Sequence, residues 1–144
     1  MHSILFVCLG NICRSPLAEG YAKYMIQKHN LKLQAYSAGL SRYHNGEPPC
    51  LVSQNLARKN GIDISSLCSQ HISEFNLKSF DLIIAMDESN KQELLGMGLN
   101  GVKKLGEFGF SSKDVADLYY EPHRADEVWE MIRIGVSKII DTLV

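Results

Sequence analysis

The stretch from Asp81 to Met86 is an almost uninterrupted apolar run, and it constrains the fold more than any other feature of the chain. A strand buried on both faces reads as such a run, so we predict a strand of a parallel sheet here. Shorter runs at residues 3–7, 33–36 and 102–105 fit three further strands, and segments with helical spacing lie between them. Strands that alternate with helices predict an α/β fold, in which a parallel sheet is flanked by helices on both faces.

Four helices are predicted from apolar spacing and from residues that favour helix ends. Asp87 is a candidate N-cap, because its side-chain oxygen can accept a hydrogen bond from the first free amides of a helix. Gly61 is a candidate stop signal, because glycine readily takes the left-handed conformation that ends helices. The first predicted helix begins at Pro16, the second runs from Pro49 to Asn60, and the third runs from Glu88 to Gly96. The fourth has an apolar stripe from Val128 to Leu143.

Length and composition predict a single domain over residues 1–144, since no linker or change of composition marks a second one. The net charge of −1 argues against nucleic acid as a partner. No stretch approaches the roughly 18 apolar residues of a membrane span, and residues 1–7 do not resemble a signal peptide. We therefore expect a cytoplasmic protein that binds neither membranes nor nucleic acids.

The four cysteines and five histidines show no spacing that is typical of a metal site. Cys8 and Cys13 are too far apart for the usual zinc-binding pair, and no two histidines lie three or four residues apart. We expect no metal ion and no other cofactor. We also expect the cysteines to stay reduced, as is usual for a chain of this size without an export signal.

The segment from Cys8 to Ser15 joins the first predicted strand to the first predicted helix and carries the chemistry for a phosphate group. Backbone amides there can form a ring of hydrogen-bond donors, and the N-terminus of the following helix adds positive potential. That potential favours the thiolate of Cys8, which is the nucleophilic form. The planar guanidinium of Arg14 can hold two phosphate oxygens while Cys8 attacks the phosphorus. The predicted phosphate-binding loop comprises Leu9, Gly10, Asn11, Ile12, Cys13, Arg14 and Ser15.

Residues inside this loop have supporting roles. Ser15 can donate a hydrogen bond to the Cys8 sulfur, which makes the thiolate a better leaving group. Gly10 allows unusual backbone angles, and Asn11 can brace the loop through its side-chain amide. The competing interpretation is a strand-to-helix turn with a buried structural cysteine, which leaves Asn11, Arg14 and Ser15 without a shared purpose.

Five segments carry a resemblance to a known family: Val7 to Pro16, Ser37 to Gly39, His44 to Pro48, Phe80 to Asn90 and Asp117 to Tyr120. Together they resemble the low-molecular-weight protein tyrosine phosphatase family over the length of the chain. The resemblance implies a four-stranded parallel sheet, no metal ion, and hydrolysis of phosphotyrosine in a protein substrate through a cysteinyl-phosphate intermediate. We expect a monomer or a weak homodimer.

The acid that protonates the leaving oxygen is not decided by residue types alone, because Asp87, Asp114 and Asp117 can all reach the same edge of the sheet. The resemblance implies Asp117, which matches the aspartate of the family's Asp-Pro-Tyr-Tyr loop and later activates water against the phosphocysteine. Leu118 stands in place of that proline, so we expect a more mobile acid loop. A phosphate- or phosphopeptide-binding module with poor turnover is therefore an alternative function.

The substrate is predicted from aromatic residues near the site. Tyr43, Tyr119 and Tyr120 are candidates for a rim that holds a phenyl ring, which favours phosphotyrosine over the shorter phosphoserine. Phosphoarginine is a further alternative, and phosphatases of this scaffold that act on it tend to have threonine where this chain has Ile12. Isoleucine at that position favours phosphotyrosine.

Cysteines of the loop also bear on oxidation. The resemblance implies a reversible disulfide between Cys13 and Cys8 that protects the nucleophile from overoxidation; the alternative role for Cys13 is that of a small apolar filler. Arsenate reductases that share the Cys8-to-Arg14 pattern need an additional redox cysteine pair near the third strand. Cys50 and Cys68 are isolated in the sequence and are not expected to form one.

Positions around the loop depart from the family pattern. Cys50 stands where relatives usually have aspartate, and Leu67 where a histidine commonly braces the loop asparagine, so we expect the loop to be supported differently. His44 and His71 are the nearby polar candidates, and we interpret both as solvent-facing.

Overall fold

Four parallel strands form the central sheet of the structure, a computed structural model that describes residues 1–144. The strands are β1 (His2–Cys8), β2 (Leu33–Gly39), β3 (Leu82–Ala85) and β4 (Lys103–Lys104), in the order β2-β1-β3-β4. The predicted four-stranded parallel sheet is confirmed. Cys8 lies opposite Gly39, and Val7 opposite Ala85, so the C-terminal ends of β1, β2 and β3 meet at one edge.

Side chains of β1 alternate between two cores, because successive residues of a strand point to opposite faces of a sheet. Ile4 and Phe6 belong to a cluster of 27 buried residues, whereas Leu5 and Val7 belong to a cluster of 9 on the other face. The prediction of helices on both faces is confirmed. None of the helices combines the length and the apolar composition needed to cross a bilayer. The larger cluster packs α1 (Arg14–Lys28), α2 (Leu51–Lys59) and α4 (Ala125–Asp141), and the smaller one packs α3 (Glu88–Gly96).

Several element boundaries differ from the prediction. α2 begins at Leu51, later than predicted, since Cys50 keeps an extended backbone with ψ of 152°. β4 has only two residues, because the chain turns into a 3₁₀ helix directly after it. The two predicted end signals are confirmed: Gly61, with φ of 78°, follows α2, and Asp87 Oδ1 accepts a hydrogen bond from the Asn90 N–H at 2.8 Å at the start of α3.

The irregular segment between β4 and α4 is held at the edge of the sheet where β3 ends. The Val115 N–H donates to the carbonyl of Met86, the residue after β3, at 2.9 Å. Gly106 permits a close approach within the segment, since a Cβ there would lie 1.8 Å from the Lys113 carbonyl oxygen. Val115 and Leu118 are both buried in the larger cluster. The segment thereby carries its aspartates towards the loop that follows β1.

Candidate active site

Cys8 is the last residue of β1, and its side chain is buried where the chain turns towards α1. The sulfur receives two hydrogen-bonding groups: the Asn11 N–H donates to it at 3.2 Å, and the Ser15 hydroxyl lies 3.0 Å away. Ser15 accepts a hydrogen bond from Asn11 Nδ2 at 2.7 Å, so its own proton is available for the sulfur. Both contacts direct hydrogen-bond donors at the sulfur.

Asn11, rather than Gly10, takes the unusual backbone conformation of the loop. Asn11 has φ of 55°, in the left-handed region that asparagine tolerates better than most residues, whereas Gly10 has no positive φ. The absence of a side chain at Gly10 has a different purpose, since a Cβ there would lie 3.1 Å from Cδ2 of His44. The left-handed conformation of the loop therefore falls on Asn11 and not on Gly10.

The side chain of Asn11 braces the loop, as predicted. Its Nδ2 also donates to Ser37 Oγ at 2.9 Å, and its Oδ1 accepts from the Gln70 N–H at 2.9 Å. Ser37 in turn donates to the buried carboxylate of Glu19, and Ser69 Oγ donates to the Gly10 carbonyl at 2.9 Å. These two serines and Glu19 were not predicted to support the loop, although Ser37 stands in a segment that resembles the family.

Arg14 begins α1 and points its guanidinium between two aspartates. Nη1 donates to Asp87 at 2.7 Å and to the Val115 carbonyl at 3.2 Å, whereas Nη2 lies 3.4 Å from Asp117. Burial by itself lowers the pKa of Arg14, but attraction to the Cys8 sulfur and the hydrogen bond to Asp87 outweigh it and raise that pKa above its ordinary value. The cation is thus held permanently beside the sulfur.

The structure separates the three candidate acids by their partners. Asp87 caps α3 and orients Arg14. Asp114 accepts from the buried ammonium of Lys104 at 2.8 Å, and that hydrogen bond raises the pKa of Lys104. Only Asp117 among the three lines the cavity that contains Cys8 and Arg14. Asp117 is therefore the aspartate with access to a bound molecule.

Leu118 anchors the acid loop through its side chain. The residue is 1% exposed and belongs to the larger hydrophobic cluster. The Asp117 carbonyl accepts hydrogen bonds from the N–H groups of Tyr120 and Glu121, and Asp117 Oδ1 accepts from the Tyr119 N–H at 3.1 Å. A buried leucine thus supplies, by packing, part of the restraint that a proline supplies through its ring.

A cavity of about 420 Å³ opens over the loop between β1 and α1. Three exposed tyrosines, Tyr43, Tyr119 and Tyr120, form part of its walls, as predicted for the rim. The ring of His44 lies 4.7 Å from the Tyr43 ring and 5.5 Å from the Tyr119 ring, so it connects the two sides. Ile12 lines the cavity as well.

The two histidines near the site are not solvent-facing, and that interpretation was wrong. The side chain of His44 is 16% exposed, and its Nδ1 lies 3.0 Å from Glu47 Oε2. His71 is half-buried, and its Nδ1 accepts a hydrogen bond from the Ser73 N–H at the start of a short 3₁₀ helix. A histidine that packs against tyrosines cannot be told from an exposed one by its position in the sequence.

The cysteines differ from the prediction in two ways. Cys13 forms a disulfide with Cys50, at the N-terminus of α2, so the expectation that all thiols are reduced was wrong. Cys8 is free, and the disulfide between Cys8 and Cys13 that the resemblance implied is not the one in the structure. Residues 13 and 50 meet because α2 packs on the start of α1. No cluster of three or more side chains able to hold a metal ion is present.

Comparisons with known proteins agree with this architecture. The family described as low molecular weight phosphotyrosine protein phosphatase matches residues 3–144. The low molecular weight protein-tyrosine-phosphatase YfkJ of Bacillus subtilis is 37% identical over 99% of this chain and 96% of its own. The YfkJ crystal structure has a TM-score of 0.91, covering 99% of this chain and 94% of that one.

Two further solved structures extend the comparison. A protein tyrosine phosphatase from Entamoeba histolytica is 33% identical with a TM-score of 0.89, covering 99% of this chain and 97% of that chain. DARP, a drosophila arginine phosphatase, is 28% identical with a TM-score of 0.84, covering 97% and 96%. The fold, the loop after β1 and these matches lead to one conclusion: the chain belongs to the low molecular weight phosphotyrosine protein phosphatase family.

Proposed function

We propose that this protein hydrolyses phosphotyrosine in proteins, with Cys8 as nucleophile, Arg14 as phosphate-binding residue and Asp117 as general acid. The observation that carries the proposal is the convergence of these three side chains on one cavity, from the end of β1, the start of α1 and the segment before α4. In this proposal residues 1–144 form one phosphatase domain. It acts in the cytoplasm, where thiol pools keep cysteine nucleophiles reduced.

Arg14 is held so that part of its guanidinium can receive a phosphate. Nη1 is engaged by Asp87 and the Val115 carbonyl, whereas the contact between Nη2 and Asp117 is longer, 3.4 Å. A phosphate dianion carries more charge than a carboxylate and takes Nη2 in a charge-assisted hydrogen bond. Asp117 is then released from Nη2, and its carboxyl group can turn towards the leaving oxygen. Substrate binding thereby prepares Asp117 to act as an acid.

The reaction proceeds in two steps. Cys8 Sγ attacks the phosphorus, the bond from phosphorus to the phenolic oxygen breaks, and Asp117 donates its proton to that oxygen. The Asp117 carboxylate then takes a proton from water, whose oxygen attacks the phosphorus while the bond to sulfur breaks. The Ser15 hydroxyl, 3.0 Å from the sulfur, stabilises the departing thiolate.

The walls of the cavity support phosphotyrosine as the substrate. The tyrosines of the rim present aromatic surface to a phenyl ring. An aromatic pair typically contributes roughly 0.5–1.5 kcal/mol to the interaction free energy beyond the effect of the area it buries. Ile12 adds apolar surface and has no hydroxyl to offer a guanidinium group. Phosphoarginine is the second candidate, because the drosophila arginine phosphatase shares the fold.

Hydrolysis of 4-nitrophenyl phosphate by wild type, Cys8→Ser and Asp117→Asn tests the mechanism, with Cys68→Ser and Asp141→Asn as controls from the exposed surface. We expect no turnover by Cys8→Ser and a loss of roughly 10²–10⁴ for Asp117→Asn. Wild type without turnover refutes the proposal. If that inert protein still binds vanadate, the phosphate-binding module is correct.

Paired peptides with phosphotyrosine or phosphoarginine at the same position test the substrate. We expect a higher kcat/KM for phosphotyrosine in wild type and a shift towards phosphoarginine in Ile12→Thr. A preference of the wild type for phosphoarginine contradicts the argument from Ile12 while leaving the roles of Cys8 and Arg14 intact.

A further inference from the structure

Cys13 stands between the two other cysteines near the site. It lines the cavity together with Cys8, and it is bonded to Cys50 on the neighbouring helix. Its side chain therefore shares a cavity with the nucleophile and is joined to a second cysteine. The proposed phosphatase reaction uses no group of Cys50.

Hydrogen bonds that do not involve sulfur hold Cys13 and Cys50 together. The Cys50 N–H donates to the Ile12 carbonyl at 2.6 Å, and Ser53 Oγ donates to the Cys13 carbonyl at 2.8 Å. The two Cα atoms are 5.3 Å apart, within the range of about 4.4–6.8 Å that disulfides require. Because these hydrogen bonds do not depend on the S–S bond, we expect the two thiols to stay adjacent in the reduced protein.

Both residues also occupy helix N-termini. Cys13 precedes the first residue of α1, and Cys50 precedes the first residue of α2. The partial positive charge at a helix N-terminus favours the thiolate, which is the form that attacks sulfur in thiol–disulfide exchange. The pair is thus suited both to form and to exchange a disulfide.

We propose that Cys50 is a resolving cysteine that returns Cys8 to its thiolate after oxidation, so that the site reduces a hydroperoxide at the expense of the Cys13 and Cys50 thiols. The inference rests on the proposed function in one respect, the reactivity of Cys8 as a thiolate. An external dithiol then reduces the disulfide and completes the cycle.

The proposed oxidation proceeds in three reactions. The Cys8 thiolate attacks the peroxide, an S–O bond forms and the O–O bond breaks. The hydroxide that leaves takes the proton of the Cys13 thiol, so the products are a sulfenic acid, water and the Cys13 thiolate. The Cys13 thiolate attacks the Cys8 sulfur, an S–S bond forms, and the hydroxide that leaves takes the proton of the Cys50 thiol to become the second water. The Cys50 thiolate attacks the Cys13 sulfur and releases the Cys8 thiolate. Overall, two thiols and hydrogen peroxide yield one disulfide and two waters.

Peptide mapping by mass spectrometry and residual phosphatase activity test the sequence. Fully reduced protein receives one molar equivalent of hydrogen peroxide and is quenched with an alkylating agent. We expect wild type to keep most of its activity and to contain the Cys13–Cys50 disulfide. Cys50→Ser is expected to stop at the Cys8–Cys13 disulfide and to lose most of its activity until dithiothreitol restores it. Cys68→Ser, the matched control, is expected to behave as wild type.

Cys8→Ser separates this sequence from direct oxidation of the pair. Because the proposed reaction starts at Cys8, this variant is expected to form no Cys13–Cys50 disulfide at the same peroxide dose. Formation at the wild-type rate overturns the proposal, and so does equal loss of activity in wild type and Cys50→Ser. Peptide mapping does not depend on phosphatase turnover. A wild type that forms the Cys13–Cys50 disulfide through Cys8 but hydrolyses no phosphate ester therefore supports the role of Cys50 and refutes the proposed phosphatase.

Discussion

Leu118→Ala is the substitution that best tests how the acid loop is positioned. The substitution removes three carbon atoms from a side chain that is 1% exposed. At about 0.8 kcal/mol per buried methylene, the transfer contribution alone is roughly 2.4 kcal/mol. The cavity left behind adds to it, so we expect the free energy of unfolding to fall by about 2.7–5 kcal/mol. A domain in the middle of the usual range of about 5–15 kcal/mol for the free energy of unfolding stays folded at 25 °C after such a loss.

Asp117 precedes this leucine directly, so its carboxyl group loses its fixed position in the same variant. The kcat/KM for phenyl phosphate, whose leaving group needs a proton, is expected to fall towards the value for Asp117→Asn. The kcat/KM for 4-nitrophenyl phosphate is expected to fall less, because nitrophenolate leaves more readily without one.

Leu33→Ala provides the matched control, since Leu33 is buried in the same cluster but lies at the start of β2, away from the cavity. Urea unfolding is expected to show a comparable loss of stability in both variants. Only Leu118→Ala should change the ratio of the two kcat/KM values. An unchanged ratio in Leu118→Ala refutes the argument that the leucine replaces the family's proline as the restraint on Asp117.

Three further substitutions test the loop after β1 and the first turn of α4. Ser15→Ala removes a hydrogen bond to the charged Cys8 sulfur, and such a bond contributes about 1.5–3 kcal/mol. Breakdown of the phosphoenzyme should therefore slow at least tenfold, and a burst of nitrophenol should appear. The absence of a burst contradicts this role of Ser15. Asn11→Ala is expected to have a free energy of unfolding about 1 kcal/mol lower than that of Asn11→Gly, because only glycine tolerates φ of 55° without cost. Equal urea midpoints for the two variants contradict this expectation. The hydrogen bonds from Arg124 hold the pKa of Glu127 at about 2, below 4.5. Glu127→Gln should therefore lower the free energy of unfolding by under about 1 kcal/mol at pH 7. This difference between wild type and variant persists above pH 4.5 and disappears as the pH falls to 2. A difference in thermal unfolding that does not change with pH contradicts the ion pair.

The loop from Cys8 to Ser15 was predictable because its chemistry is local. A strand that runs directly into a helix must turn within a few residues, and that turn brings the nucleophile and the arginine to the same side. The side chains that brace the loop were not predictable in the same way. Ser37 on β2 and the Gln70 amide contact the Asn11 side chain, and Ser69 contacts the Gly10 carbonyl. Ser69 and Gln70 belong to the segment before the first 3₁₀ helix.

The general acid could not be chosen from residue types alone. Three aspartates were equivalent by position, and the resemblance selected one of them. The structure supplies the physical reason, because Lys104 binds Asp114 and Arg14 binds Asp87 through its shorter contact. Asp117 keeps the longer contact and the open side towards the cavity.

The sequence by itself determined the alternation of strands and helices, the phosphate loop, and the family, because all three depend on residues that are neighbours along the chain. Only the tertiary structure decided that Cys13 pairs with Cys50 and that His44 lies between two tyrosines. Those contacts depend on how α2 and two surface loops pack against the edge of the sheet. Packing of that kind is the sum of many weak apolar contacts throughout the domain, and no local pattern of residues encodes it.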